Sequence, residues 1–294
     1  DVVLFNPYLD EVVTIDKKGR DNSILSLWAC SRHLSKLDFD VLINLHPNER
    51  CSFIDAMTSV KLRTGTTHKI FKWFWDVFTP LDRSMHAADM YLDVLQQLGV
   101  QDLSNNGLEI FPGEEHFLEA ELFWQEQNIT DQDKLIGFNI GSAVPTKRWP
   151  PERFAEVADI FAAKGYKTVF FGGPMDEEMV AEATGYMQTR PIIATGHFAI
   201  GGLAAAMRRC CLIITNDSGP MHVAISQKVP IVAMYGPSNP KLYGPYTKDA
   251  VIVTAQPPCQ GCADGMKHSC DDLQCMSRMT VEQVVAAADT MLNK

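Results

Sequence analysis

The stretch of residues 212–240 constrains the fold of this chain more than any other. It reads LIITNDSGPMHVAISQKVPIVAMYGPSNP, so two apolar runs enclose a helix-like segment and each run ends at a turn rich in glycine and proline. A strand, a turn, a helix and a second strand in this order are typical of a βαβ unit. At the first turn Asp217 or Ser218 can cap the helix, and Gly219 lets the backbone approach a partner closely. The N–H groups of such a helix start can bind an anion, although a well-capped crossover helix without a ligand has the same pattern.

The second half of the chain repeats this alternation of strands and helices. Four further apolar runs predict strands, at residues 135–140, 167–171, 191–194 and 250–254. The segments between them predict helices, so the pattern indicates an α/β fold with a doubly wound, mostly parallel sheet. A capping box formed by Thr280 and Gln283 predicts a final helix over residues 281–292.

The first part of the chain reads as an incomplete α/β unit. Its predicted elements are strands at residues 11–16 and 40–45 and helices at residues 22–36, 52–59 and 84–98. Residues 105–133 are the predicted link between two domains. We therefore predict an N-terminal domain of residues 1–130, a C-terminal domain of residues 131–279 and a C-terminal helix within residues 280–294.

The composition excludes some classes of function. The chain has 294 residues and a formal net charge of −10, so a broad nucleic-acid-binding surface is not expected. No apolar run is long enough to span a bilayer. Of the eight cysteines, four follow a C-x2-C-x7-C-x4-C pattern: Cys259, Cys262, Cys270 and Cys275. This pattern allows a metal clip, with reduced thiols or an incidental disulfide as the alternatives.

Glycine recurs at five turns that end predicted strands in the second half, where open α/β sheets bind their ligands. These turns read GSAVPTK, GGP, TGHF, NDSGP and YGPSNP. Lys147 in the first turn can neutralise a phosphate as a compact point charge. The hydroxyl of Ser142 and the backbone amides near Ser218 and Gly219 can bond phosphate oxygens.

Other side chains at these turns suit a nucleoside and a sugar. Phe198 offers an apolar face for a base, and Asp176 or Asp217 can accept hydrogen bonds from sugar hydroxyls. His222 faces either the ligand or the core, and alone it reads as structural. Together the turns predict a site for a nucleoside diphosphate. The absence of a G-x-G-x-x-G opening disfavours a nicotinamide enzyme, and the absence of a Walker A motif disfavours a P-loop kinase.

Candidate acceptor contacts lie in the first part of the chain. The strand at residues 40–45 delivers His46 into a loop, which is either a ligand contact or an ordinary polar loop. Arg63, Lys69 and Lys72 accompany the aromatic segment KIFKWFWDVFTP, residues 69–80. With these basic residues the segment can form an amphipathic surface for an amphiphilic or anionic acceptor, and a core strand followed by a loop is the alternative.

The motif NDSGPMHVA, followed by P-IVAMYGPSNP, resembles the signature of the family 9 glycosyltransferases, the ADP-heptose:lipopolysaccharide heptosyltransferases. GSAVPTKRWP, FFGGP and TGHF occur in the same order as in that family. The resemblance implies a GT-B fold, in which two Rossmann-like doubly wound domains face a cleft; the N-terminal domain is incomplete here. It also implies inverting transfer of heptose from ADP-heptose to the lipopolysaccharide inner core. The expected place is the cytoplasm, in peripheral contact with the inner face of the inner membrane, and no metal cofactor is expected.

The resemblance implies roles for individual residues that bind the sugar donor. It implies that Lys147 holds the diphosphate beside Ser142 and that Asp217 lies close to the heptose. The other donor-side matches are the helix start at Ser218, Gly219 and His222, the nucleoside border at Phe198 and a loosely aligned ribose contact at Asp176.

One part of the family pattern has no counterpart in this sequence. An R-x-G-D type loop, whose Asp serves as general base, is absent, so the base is expected upstream of Asp1 and no catalytic residue is assigned. Two alternatives follow for the function: a GT-B enzyme that uses another nucleotide sugar, and a nucleotide-sugar-binding protein without catalysis.

Overall fold

The computed structural model describes residues 2–16, 19, 21–46, 48–66, 74–80, 82, 84–255, 270 and 272–294. It divides the chain into two compact units. One consists of Glu11–Asn105, and the other of Asp1–Asp10 together with Asn106–Lys294. Each unit contains a parallel sheet and helices, which confirms the predicted α/β class.

The smaller unit has a three-stranded parallel sheet of order β1-β2-β3. Its elements are α1 Ile24–Lys36, β1 Val41–Asn44, α2 Glu49–Met57, β2 Leu62–Gly65, β3 Val77–Phe78 and α3 Ala87–Gln97. A capping box of Ser23 and Ser26 starts α1. Gly99 follows α3 with a φ of 91°, a left-handed conformation that glycine adopts without strain.

The predicted strand at residues 11–16 is wrong, because this segment forms no strand. Its carboxyl end is held in a local turn: the N–H of Asp16 donates to Asp21 at 2.9 Å, and the N–H of Gly19 donates to Asp16 at 2.9 Å. β-branched residues favour a strand only where a neighbouring strand pairs with them. No strand among the described residues pairs with this segment.

The larger unit has a six-stranded parallel sheet of order β6-β5-β4-β7-β8-β9. Its strands are β4 Leu135–Asn139, β5 Lys167–Phe171, β6 Ile192–Ile193, β7 Leu212–Asn216, β8 Ile231–Met234 and β9 Ala250–Val253. Its helices are α4 Glu114–Glu126, α5 Pro151–Ala163, α6 Glu177–Tyr186, α7 Ile200–Met207, α8 Gly219–Ser226, α9 Pro240–Tyr243, α10 Gln274–Ser277 and α11 Val281–Leu292. If the six strands are numbered 1 to 6 along the chain, their order in the sheet is 3-2-1-4-5-6, which is a doubly wound arrangement. A doubly wound sheet is what the sequence predicts.

Alternate residues of the central strands enter two separate cores. Phe138 and Ile214 pack with α5 and α11 in one hydrophobic cluster. Leu135 and Ile213 pack with α4, α7 and α8 in the other. Because successive side chains of a strand point to opposite faces, the sheet is covered by helices on both faces.

The domain boundary differs from the predicted one at residue 130. Residues 106–130 belong to the larger unit because α4 buries Phe123 and Trp124 against its sheet and helices, with the Trp124 ring 6.4 Å from Phe171. The first ten residues also belong there, and Phe5 packs edge-on against His116 at 5.4 Å. Within the described ranges, no helix is long and apolar enough to cross a membrane.

Candidate functional site

The strand order of the larger unit locates its ligand crevice. β4 and β7 are neighbours at the centre of the sheet, and the helices that follow them, α5 and α8, lie on opposite faces. Ligands of doubly wound sheets bind beyond the carboxyl ends of two such strands. The segment after β4 contains Ser142 and Lys147, and the segment after β7 contains Asp217, Ser218 and Gly219. The topology therefore brings five of the predicted donor residues to one edge of the sheet.

A lysine–aspartate ion pair joins these two segments. The Nζ of Lys147 lies 2.7 Å from the Oδ2 of Asp217, and their side chains are 15% and 7% exposed. The hydroxyl of the fully buried Ser238 donates to the same carboxylate oxygen. The ion pair and this hydrogen bond hold one basic and one acidic side chain in place at the crevice.

The loop that carries Lys147 is held by buried hydrogen bonds. The amide of Asn216, at the end of β7, donates to the carbonyl of Ile140 at 2.7 Å and accepts from the N–H of Trp149 at 3.0 Å. The indole of Trp149 is fully buried and donates to the carbonyl of Met279 at 3.1 Å. Lys147 ends a short 3-10 turn, Pro145–Lys147, between these anchors. Its position is therefore set by the sheet.

The start of α8 faces open space. Ser218 occupies the N-cap position in an extended conformation, but its side chain does not cap the helix. Instead its oxygen accepts from the amide nitrogen of Asn139 at 2.8 Å. A Cβ atom placed on Gly219 would meet no atom within 4 Å. The Ser142 hydroxyl lies 3.3 Å from the carbonyl of Asp217, which closes the other side of the turn.

Tyr235 is fully buried next to Asp217. Burial, with a further contribution from the nearby Asp217 carboxylate, raises the pKa of the Tyr235 phenol above its usual range. The phenol donates to the carbonyl of Tyr243 at 2.7 Å. Tyr235 is therefore a neutral neighbour of Asp217 near neutral pH.

Asp176 and Phe198 border the same edge of the sheet. The Asp176 carboxylate accepts from the N–H of Gly173 at 2.9 Å and lies against Gly141, where a Cβ atom would come within 2.1 Å of it. Gly141 is therefore required by close packing. Phe198 is half-buried and packs edge-on against Phe123 at 5.1 Å.

His222 lines an apolar pocket next to the start of α8. The pocket has a volume of about 460 Å³ and also contains Gly219 and Pro220, with apolar side chains from α7 and from residues 108–110. His222 is half-buried there. The structure thus places the imidazole beside the predicted donor turn.

The acceptor candidates of the smaller unit have different surroundings. His46 is exposed, and its N–H donates to Asn44 at 2.8 Å. The guanidinium of Arg63 donates to two carbonyls at the end of α2, those of Asp55 at 3.1 Å and Thr58 at 2.6 Å. Lys69 and Lys72 lie outside the described residues.

Metal ligands do not assemble in the part of the chain that the structure describes: no group of three His, Cys, Asp or Glu side chains lies close enough to hold an ion. Cys270 is exposed and Cys275 is buried. Cys259 and Cys262 lie outside the described residues, so the predicted clip has no structural description.

Sequence reasoning missed three residues that organise this site, namely Asn139, Asn216 and Ser238. Asn139 and Asn216 are the last residues of β4 and β7, and Ser238 lies in the turn after β8. The missed signal is a polar side chain at the carboxyl end of an otherwise apolar strand, which is where a doubly wound sheet binds its ligand.

Comparisons with known proteins relate the chain to one family. Residues 27–270 match the family described as "Glycosyltransferase family 9 (heptosyltransferase)". Lipooligosaccharide heptosyltransferase 2 of Haemophilus ducreyi is 34% identical over 139 residues, which are 45% of this chain and 40% of that protein. The chain thus spans about 40% of the length of that curated relative.

Solved structures extend the likeness over nearly the whole chain. A glycosyl transferase family 9 protein from Veillonella parvula has a TM-score of 0.93 at 52% identity and covers 99% of this chain and 85% of its own. ADP-heptose lps heptosyltransferase II of E. coli has a TM-score of 0.72 at 22% identity, covers 91% of this chain and 80% of its own, and shows the shared fold.

Proposed function

The chain belongs to glycosyltransferase family 9, and from this premise we propose that it is an inverting heptosyltransferase that moves heptose from ADP-heptose to the lipopolysaccharide inner core. Its two parallel-sheet units are those of the GT-B fold. Under this proposal the larger unit binds the donor and the smaller unit contributes to acceptor binding.

The ion pair of Lys147 and Asp217 carries the proposal. Its two charges lie beside the start of α8, whose dipole favours an anion. When the glycosidic bond to ADP breaks, negative charge develops on the diphosphate. Lys147 and the helix N-terminus stabilise that charge, which is electrostatic catalysis by groups already in place. Asp217 accepts hydrogen bonds from heptose hydroxyls.

The remaining donor residues surround this centre. Ser142, Ser218 and Gly219 contact phosphate oxygens, and Phe198 borders the nucleoside. Asp176 contacts the ribose, and His222 lines the site beside the start of α8. The general base that removes the proton of the acceptor hydroxyl is not assigned to a residue of this chain.

The acceptor is an anionic lipid-core oligosaccharide. His46, Arg63, Lys69 and Lys72 are the proposed contacts, and the enzyme works in the cytoplasm in peripheral contact with the inner face of the inner membrane. A net charge of −10 disfavours nucleic acid as a partner. The reaction needs no metal cofactor, because Lys147 and the helix dipole supply the positive charge. Undiminished transfer after treatment with EDTA is the expected result, and loss of transfer that Mg²⁺ or iron restores would contradict it.

A ligand panel tests the donor. The melting temperature is measured with ADP, ADP-heptose, and UDP and GDP sugars, since a ligand that binds only the native state stabilises it by about 2.7 kcal/mol at one hundred times its Kd. We expect shifts with ADP and ADP-heptose. A shift with UDP or GDP sugars alone would identify another nucleotide-sugar enzyme.

A transfer assay tests the reaction itself. ADP-heptose and a heptose-deficient lipopolysaccharide core are incubated with the protein, and the new glycosidic bond is examined by NMR. Inversion at the anomeric carbon is expected. Donor binding without any transfer would favour the non-catalytic alternative.

A further inference from the structure

Asn139 makes contacts beside the donor site that the proposed function does not yet explain. It is the last residue of β4 and is 1% exposed. Its amide nitrogen lies 3.1 Å from the hydroxyl oxygen of Thr215 and 2.8 Å from that of Ser218. One amide therefore joins the ends of the two central strands to the start of α8.

Thr215 determines which way this amide faces. The Thr215 hydroxyl donates its hydrogen to the carbonyl of Asn216 at 2.8 Å, so its oxygen can only accept from Asn139. The Asn139 nitrogen must then lie on that side, rather than the oxygen. The second hydrogen of the same nitrogen is donated to the Ser218 oxygen, which is an acceptor in this contact.

The contact changes what Ser218 can do. A serine at an N-cap position usually accepts a backbone N–H of its own helix, but the Ser218 side chain makes no such bond. Because its oxygen accepts from Asn139, its hydroxyl hydrogen is directed elsewhere. The space in front of the adjacent Gly219 is open, so an anion there can receive that hydrogen.

Asn139 also carries an energetic cost at this position. Its side-chain oxygen is buried and has no hydrogen-bond partner among the residues that the structure describes. A buried oxygen without a partner lowers stability, which offsets part of what the hydrogen bonds of the nitrogen contribute.

We propose that Asn139 is a positioning residue of the donor site. By donating to the Ser218 oxygen, it keeps this side chain off the end of its own helix and directs the Ser218 hydroxyl hydrogen to a phosphate oxygen of the donor. The inference rests on the proposed function, because it concerns the same diphosphate.

Calorimetric titration with ADP and with adenosine tests the inference, together with thermal melting. The proteins are the wild type, Asn139→Leu, Ser218→Ala and the double variant; Asn139→Ala is made in parallel in case leucine does not fit. We expect Asn139→Leu to weaken ADP binding about tenfold, as for loss of one hydrogen bond to a charged group, with adenosine binding unchanged. Thermal melting shows whether each variant is folded under the conditions of the titration.

The double variant separates positioning from simple packing. Since Asn139 acts through Ser218, the double variant binds ADP within about twofold of Ser218→Ala alone. Wild-type ADP affinity in both Asn139 variants would overturn the inference, and so would additive losses or an equal loss of adenosine affinity. A wild-type protein that binds no nucleoside diphosphate would overturn the proposed function and this inference together, whereas a change confined to the variants concerns the inference alone.

Discussion

Both units are built on parallel sheets, but they differ in how completely their buried polar groups are hydrogen-bonded. In the larger unit, polar side chains at the ends of β4 and β7 bond one another, as Asn216 does with the loop of Lys147. Among the described residues, five buried side chains of the smaller unit have a polar atom without a partner, against two in the larger unit, Trp124 and Asn139; the five are Ser52, Thr64, Thr66, Trp75 and Thr79. In its strand β1 two of the four residues, Val41 and Ile43, are exposed. The comparison teaches that the described buried polar groups are hydrogen-bonded more completely in the larger unit than in the smaller one.

The largest expected effect concerns the two cores. Phe138 is fully buried and stacks on Phe170 at 5.2 Å, so Phe138→Ala should lower the free energy of unfolding by about 3–5 kcal/mol. Ile54 is the matched position in the smaller unit, and Ile54→Ala should cost about 2 kcal/mol because a sparser core can collapse into the gap. Urea unfolding measures both. Equal losses in the two variants would contradict the comparison.

The next effect concerns the ion pair at the sheet edge of the larger unit. Lys147→Ala should lower turnover by about two orders of magnitude, the usual result of removing one group that stabilises transition-state charge. Lys164→Ala is the control, because Lys164 also pairs with an aspartate, Asp289, at 2.6 Å but at the surface. Rates are measured with ADP-heptose at a temperature where circular dichroism shows both variants folded. Wild-type turnover in Lys147→Ala, or equal losses in both variants, would contradict the role of Lys147.

A pH effect is expected in the smaller unit. Burial is the largest cause that raises the pKa of the Asp55 carboxyl from 3.8 to about 6, against the lowering effects of Asn44 and Arg63. The native state therefore holds this proton more tightly than the unfolded chain does. The contribution of Asp55 to the unfolding free energy should fall as the pH rises from about 4 to about 6 and stay level above about 7.

Asp55→Asn should remove this dependence, because an amide can still accept from Asn44 but does not ionise. Allowing for partial exposure, the variant should be more stable than the wild type at pH 7.5 by about 2 kcal/mol. Urea unfolding at a series of pH values measures the difference. A difference in unfolding free energy between Asp55→Asn and the wild type that does not grow from pH 4 to pH 6 would contradict the raised pKa of Asp55.

The smallest effect compares two buried threonines. Thr64 has a hydroxyl without a partner among the described residues, so Thr64→Val should raise the unfolding free energy by about 1 kcal/mol. Thr215 in the larger unit bonds both Asn139 and the Asn216 carbonyl, so Thr215→Val should lower it by about 1–3 kcal/mol. Thermal melting measures both changes in unfolding free energy, and we expect them to have opposite signs. A change of the same sign in Thr64→Val and Thr215→Val would contradict the difference between the units.

Sequence reasoning performed best where local pattern and tertiary environment agree. The predicted strand at residues 167–171 and helix at residues 281–292 match β5 and α11, because buried apolar runs and capping boxes act locally. The turn residues Lys147, Asp217 and Ser218 were expected together, since parallel strands end at one edge of a sheet. Their roles in donor binding stay predictions.

The failures have physical causes that local sequence does not contain. Residues 11–16 have the composition of a strand but no strand among the described residues pairs with them. The boundary at residue 130 was placed too late because α4 looks like a linker helix until Phe123 and Trp124 are seen to be buried. The sequence did not predict Asn139 as a site residue, because its contact is with Ser218, which is 79 positions away along the chain.

That separation has a consequence for how the protein is made. Lys147 and Asp217 are 70 positions apart, and each half of the anion site sits on a strand that pairs with the other, β4 with β7. Contacts between distant segments form only after a large loop has closed, and they slow folding. Under the proposed function, a chain still under synthesis has no diphosphate site until the segment through Gly219 has left the ribosome. ADP binding is then expected to report the pairing of β4 with β7 and to show when the centre of this sheet is complete.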